Sequence, residues 1–115
     1  MTFTADEAWT LEAVRNVVKN SLEYTPDGGV LEISCEDNPL YTEISVSDSG
    51  PGIDPEDLPH LFERFYKGKN AGSSSFGIGL ALAQSIMSRQ NGVIRAENRK
   101  EGGSRFRIRF YKQTI

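Results

Sequence analysis

At 115 residues, 37% of them hydrophobic and 25% charged, the chain has the length and composition of one globular domain able to bury a core. A net charge of −3 offers no general attraction to nucleic acid or to anionic lipid, so neither nucleic acid nor direct membrane contact is expected. A single cysteine, Cys35, rules out an internal disulfide and reads as a small buried strand residue, and no apolar run approaches a membrane span; both fit a reducing, cytoplasmic setting.

Residues 1–5 read as a short extended piece, after which Thr4 or Asp6 offers a cap for a helix running to about Tyr24. Thr25-Pro26-Asp27-Gly28-Gly29 stops it. Leu11, Val14, Val18 and Leu22 recur at helical spacing and are expected to bury one side. Asn16, Asn20 and Glu23, with Glu12 close by, cluster nearly opposite. Solvation accounts for such a face. Yet asparagine is a middling helix former, and two of them at i and i+4 set amide oxygens along one line, a geometry able to hold a hydrated metal ion or phosphates.

Residues 30–36 alternate as Val30, Glu32, Ser34 against Leu31, Ile33, Cys35, and residues 41–48 alternate again after Asp37-Asn38-Pro39-Leu40, the pattern of an antiparallel hairpin. Asp48-Ser49-Gly50-Pro51-Gly52-Ile53 follows. Two glycines flanking a proline make a turn that lets backbone approach a ligand closely. An ionised carboxylate only accepts hydrogen bonds, so Asp48 at a pocket rim suits a donating ligand edge such as the adenine amine; a plain turn explains the same residues.

Asp54-Pro55-Glu56-Asp57 begins a short helix, and Leu61-Phe62-Glu63-Arg64-Phe65-Tyr66 supplies aromatics for the core. His60, the only histidine, has no cysteine or second histidine near it in sequence, so no metal or catalytic role is expected of it. Residues 67–76 are small, polar and partly basic, the composition of a lid. Gly77-Ile78-Gly79-Leu80 then opens a helix to about Gln90, with Ile78, Leu82 and Ile86 on one stripe and Asn91-Gly92 as its stop. Glycines at a helix start behind a basic loop favour phosphate, because free N–H groups and the helix dipole point there. Strands over 93–98 and 104–111, joined by Arg99-Lys100-Glu101-Gly102-Gly103, close the chain. Arg105, Arg107 and Arg109 alternate along the last one and read as a solvated sheet face.

Two nucleotide motifs are absent. The one Gly-Lys pair, Gly68-Lys69, has Glu63 in the place of the first glycine of a phosphate loop and Asn70 after the lysine. Gly77-Ile78-Gly79 is followed by Leu80-Ala81-Leu82, not by the third glycine of a dinucleotide fingerprint. Four stretches in order, residues 16–20, 48–52, 61–66 and 77–81, instead resemble the N, G1, F and G2 boxes of bacterial sensor histidine kinases. The resemblance covers about residues 6–111, and the family is the catalytic ATP-binding domain of the gyrase, chaperone, kinase and mismatch-repair ATPase superfamily. It implies an α/β (α+β) two-layer sandwich, with a mixed, largely antiparallel sheet, helices on one face and an ATP-lid loop before the last helix.

Residue by residue, the resemblance implies that Asp48 receives the adenine amine and Gly52 admits the base, with Gly50, Ile53, Phe65 and Leu80 completing the cleft. Asn20 would ligate Mg²⁺ with Asn16 beside it, Tyr24 would line the cleft, Lys67 would lean on the phosphates, and Gly77 and Gly79 would present N–H groups to them. The hydrolysing relatives carry a Glu four residues before the metal-binding Asn. Here Asn16 holds that place, and an amide cannot take a proton, which favours transfer to a side chain over hydrolysis. The implied function is ATP-dependent phosphorylation of a histidine on a dimerisation domain, for relay to a response regulator. Alternatives are a nucleotide-binding module without transfer and an anti-sigma-factor type serine kinase. Three departures stand out: Glu23 where many members carry Lys, Ser75-Phe76 where a Gly and a small residue usually open the second glycine box, and the lack of a further strand and helix before the first helix and of a phosphoacceptor segment. The chain, one domain over residues 1–115, is therefore expected to be a fragment.

Overall fold

A computed structural model describes residues 7–63 and 79–112. The first helix, α1 (Glu7–Tyr24), ends where the Thr25 hydroxyl donates to the Ser21 carbonyl at 2.9 Å, and Gly29 N–H closes a turn onto Pro26. Strands β1 (Leu31–Asp37) and β2 (Tyr41–Asp48) then form the expected hairpin. Its turn is built by Asn38, whose Oδ1 accepts from both Leu40 and Tyr41 N–H. A 3-10 turn (Leu58–His60) stands where a short helix was expected, preceded by the Asp54 carboxylate accepting from Glu56 N–H. Helix α2 (Ala81–Arg89) stops at Asn91, which takes the left-handed conformation at φ 58°, as the Asn-Gly pair foretold. Strands β3 (Gly92–Asn98) and β4 (Ser104–Tyr111) complete the chain.

The sheet order is β1-β2-β4-β3, and every pairing among the described residues is antiparallel. Both helices lie on one face, α1 against β2 and α2 against β3, giving the two-layer sandwich. The strand residues facing them, Val46, Phe106, Ile108, Phe110 and Ile94, alternate with outward polar ones and meet Ala13, Val17, Leu80, Ala83, Ile86 and Met87 in one core. Leu61 is buried in this core and Phe62 packs edge-on against Phe106 at 6.4 Å; Phe65 and Tyr66 lie outside the described residues.

Four expectations need correction. The fully buried side of α1 is formed by Thr10, Ala13, Val17, Asn20 and Ser21; of the expected stripe Val14 and Val18 pack partly buried against the core, whereas Leu11 is 62% and Leu22 55% exposed, so the buried face is turned by roughly 100° from the stripe's centre. Small residues let α1 come close to α2 and β2, and that close approach outweighs the longer aliphatics. On α2 the buried residues are Ala83, Ile86 and Met87, so of the expected stripe Ile86 is buried, Leu82 is 37% exposed, and Ile78 lies outside the described residues. Cys35 is exposed, since no helix covers β1 among the described residues and Ile33 beside it is 56% exposed too. Arg107 and Arg109 of β4 are half-buried around Glu43, itself buried, and Arg105 Nε donates to the Ser47 hydroxyl at 3.0 Å. Arg109 Nε donates to Glu43 Oε1 at 2.9 Å and stacks over Tyr41, while Arg107 Nε donates to Glu97 at 2.8 Å. These partners raise both guanidinium pKa values, Glu97 chiefly for Arg107 and Glu43 chiefly for Arg109.

Candidate functional site

The alternation that makes β2 a strand also turns its last residue inward, and Asp48 ends up 1% exposed at the sheet's end. Its Oδ1 accepts from Gly50 N–H at 2.9 Å and from Ser104 N–H at 3.4 Å, and its Oδ2 accepts from the Ser104 hydroxyl. An ionised carboxylate has about four acceptor sites, so three bonds leave roughly one for a ligand. The Asp48 carbonyl accepts from Arg99 Nη1 at 3.1 Å. Gly103, at φ 84°, lies so close to that carbonyl that any Cβ would collide with it.

Residues 49–53 leave the strand with Ser49 still paired to Val30 in both directions. Gly52 takes φ 85°, and a Cβ there would stand 3.1 Å from Asn98 Oδ1. Ile53 plants its side chain in the core, while its peptide groups meet the Asn98 amide.

The second half of the site lies on α1. Asn20 is only 2% exposed, yet neither its Oδ1 nor its Nδ2 has a hydrogen-bond partner. Ser21 Oγ and Asn16 Nδ2 are likewise buried and unpartnered. Such groups cost about 1–3 kcal/mol each when left unpaired, so four polar atoms in this state on adjoining turns mark a place for a ligand. Asn16 lies against Gly79, whose missing Cβ would touch its amide at 3.8 Å. That contact joins α1 to the start of α2, where no side chain caps the first turn and no acidic residue opposes an anion. Asn16 and Glu23 also line an open concavity of about 670 Å³ on the outer side of α1.

The structure thus groups the expected site residues in two sets: Asp48, Gly50, Gly52 and Ile53 at the sheet end, and Asn16, Asn20 and Gly79 in the helix layer. Leu80 is fully buried and is a member of the core. Phe65, Lys67 and Gly77 lie outside the described residues, as does the Tyr24 side chain. Sequence reasoning missed Ser21, Asn98, Arg99 and Ser104. The signal for Ser104 was a hydroxyl residue just behind a double glycine at a strand start; Asn98 and Arg99 gave none beyond their place in a turn.

A helix-on-sheet sandwich that keeps unpaired amides in its helix layer and a bonded carboxylate at its sheet end is a binding domain for a polar ligand. The sequence profile of the histidine kinase-, DNA gyrase B- and HSP90-like ATPases matches residues 5–114, and the chain belongs to that family. It is similar to the sensor histidine kinase YvrG of Bacillus subtilis, 33% identical over 113 residues, which span 96% of this chain and 20% of that protein. Among solved structures it resembles the mycobacterial sensor histidine kinase MprB, with a TM-score of 0.84 at 25% identity, covering 96% of this chain and 77% of that one. The catalytic domain of histidine kinase ThkA gives a TM-score of 0.81 at 29% identity, covering 96% and 71%. The chain is thus an ATP-binding domain of the sensor-kinase type, and among its described residues no helix is long and apolar enough to cross a membrane.

Proposed function

We propose that this domain binds Mg-ATP between Asp48 and the α1–α2 junction and donates the γ-phosphoryl group to a histidine on the dimerisation domain of a sensor kinase, on the cytoplasmic side, for relay to a response regulator. The observation that carries the reading is Asn20, a sealed amide without a partner on the helix that faces the start of α2.

Asn20 Oδ1 is a hard neutral donor, suited to Mg²⁺. No group of three or more His, Cys, Asp or Glu among the described residues could hold a metal, so the donor set fits an ion that arrives with the nucleotide's own phosphate oxygens. Bound there, Mg²⁺ would supply charge neutralisation on the phosphates. The protein's own part is to position. Asp48 spends its remaining acceptor site on the base amine, its orientation fixed by Gly50 and Ser104. The start of α2, with no acidic residue in its first turn, is the end that would face the phosphates. Asn16, beside Gly79, can donate to a phosphate oxygen through Nδ2 but cannot deprotonate water, so the terminal phosphoryl group is kept for an acceptor side chain.

Calorimetric titration with ATP and Mg²⁺ tests the binding half. Asp48→Ala should weaken ATP about ten- to a hundredfold, the worth of roughly 1–3 kcal/mol of hydrogen bonding, and should erode adenine-over-guanine selectivity. Unchanged affinity removes Asp48 from the site. For transfer, label from γ-labelled ATP should reach the histidine of a supplied dimerisation domain. It should not stay on His60, whose Nδ1 is engaged with Glu63 at 2.8 Å on the turn that leads into Leu61 and Phe62. Stable label on His60 contradicts the proposal.

A further inference from the structure

Loop 48–53 is anchored twice. At one end Ser104 and Arg99 hold Asp48; at the other the Asn98 side chain grips the main chain of Ile53 as a neighbouring strand would. Asn98 Oδ1 accepts from Ile53 N–H at 2.7 Å, and Asn98 Nδ2 donates to Ile53 C=O at 2.8 Å. The same Oδ1 lies over Gly52 on the side where any other residue would carry its Cβ, so the amide, the glycine and its positive φ form one fitted unit. Asn98 itself is exposed, and the Ile53 side chain is already fixed in the core. The two bonds therefore add little to the core. What they determine is the direction of the Gly52–Ile53 peptide, and with it the path of the glycine segment running back to Asp48.

We propose that Asn98 is a specificity-determining positioning residue: its two-bond clamp on Ile53 sets loop 48–53 for the base, and it acts on base recognition without acting on phosphate binding. The inference rests on the reading that Asp48 accepts the base. Phosphate is assigned to the Asn16, Asn20 and Gly79 side of the cleft, and among the described residues the Asn98 side chain bonds to Ile53 and not to that side, so the two contributions separate.

The test is displacement of a fluorescent trinitrophenyl-ATP from the full chain by ADP and by inorganic tripolyphosphate, in excess Mg²⁺, for wild type, Asn98→Ala, Asn98→Ser and Asp48→Asn, with thermal melts alongside. Asn98→Ala should weaken ADP about tenfold, the consequence of losing two loop-setting hydrogen bonds, and leave tripolyphosphate within about twofold. Asn98→Ser, able to reach one of the two groups, should show a smaller loss with the same sparing of tripolyphosphate, and it carries the same criterion if the alanine variant does not fold. Equal weakening of both competitors would make Asn98 a general prop of the fold and overturn the proposal, as would no weakening of either. Asp48→Asn separates the two layers of the argument. If it too fails to distinguish ADP from tripolyphosphate, the base-acceptor reading falls; if it distinguishes them and Asn98→Ala does not, the clamp proposal alone falls.

Discussion

Replacing Asn20 by leucine should make the nucleotide-free domain more stable and at the same time abolish Mg-ATP binding. Leucine has the same branched outline as asparagine and carries no polar atom, and the site it would enter is 2% exposed and lies beside Val17 and the core. Wild type seals two amide atoms there without partners, and relieving an unpaired buried group is worth about 1–3 kcal/mol. The bulkier methyl groups offset part of this, so a net gain of about 1–2 kcal/mol is reasonable. Unfolding entropy of about 2.1 cal/mol/K per residue makes 1 kcal/mol worth about 4 °C for 115 residues, so the melting temperature should rise by about 4–8 °C. Scanning calorimetry without nucleotide measures the rise; isothermal titration with ATP and Mg²⁺ should show no binding. A lower melting temperature with ATP affinity retained would refute the reasoning, because it would mean that the Asn20 amide is satisfied in the free domain and idle in the complex.

Gly103→Ala forces a Cβ into the Asp48 carbonyl at φ 84°, and should cost about 3 kcal/mol or more; a melting temperature within 2 °C of wild type, on the order-of-magnitude conversion above, would show that the turn relaxes freely. Glu23 is exposed and lines the same open concavity as Asn16 two turns away, so Glu23→Lys should tighten ATP by a larger factor than ADP, with the difference shrinking as salt rises; equal shifts in paired titrations would mean that Glu23 never meets the terminal phosphate. Hydrogen bonds from Lys112 and then Thr42 hold the Asp37 carboxyl below its ordinary value. Because the folded value is the lower one, its contribution to stability is complete above the unfolded value of about 3.9 and is lost as pH falls through the folded value. Lys112→Met should raise the Asp37 titration midpoint followed by carboxyl-carbon NMR, and an unmoved midpoint would show the pair to be loose in solution.

Local signals carried the hairpins, the helix stops at Thr25 and Asn91, and the end-of-strand placement of Asp48, because each depends on residues adjacent in sequence. The burial of α1 did not follow from them. Leu11, Val14, Val18 and Leu22 form the stronger aliphatic stripe, but only its edge, Val14 and Val18, reaches the core; which arc is sealed is settled by how closely the backbones can approach, and there Ala13 and Ser21 win. The same rotation moved Asn20 from an expected solvent face into the interior, making its amide a more telling feature than its spacing had suggested. Cys35 was misjudged since strand alternation tells which residues face one side of the sheet but not whether anything covers that side. The contacts of Ser104, Asn98 and Arg99 with loop 48–53 were invisible for a similar reason: a hydrogen bond between distant segments leaves no periodic trace.

Those contacts also fix when the site can exist. Asp48 waits for Ser104 across 56 residues of chain, and Ile53 for Asn98 across 45. Closing spans of that length is slow next to forming a local hairpin, so the β1–β2 ribbon and α1 can take shape before loop 48–53 is anchored. A nascent chain cannot make these contacts until β4 is out, so on the reading proposed above nucleotide cannot serve as a template for its early folding. ATP stabilises the finished domain by mass action, mainly by slowing its unfolding.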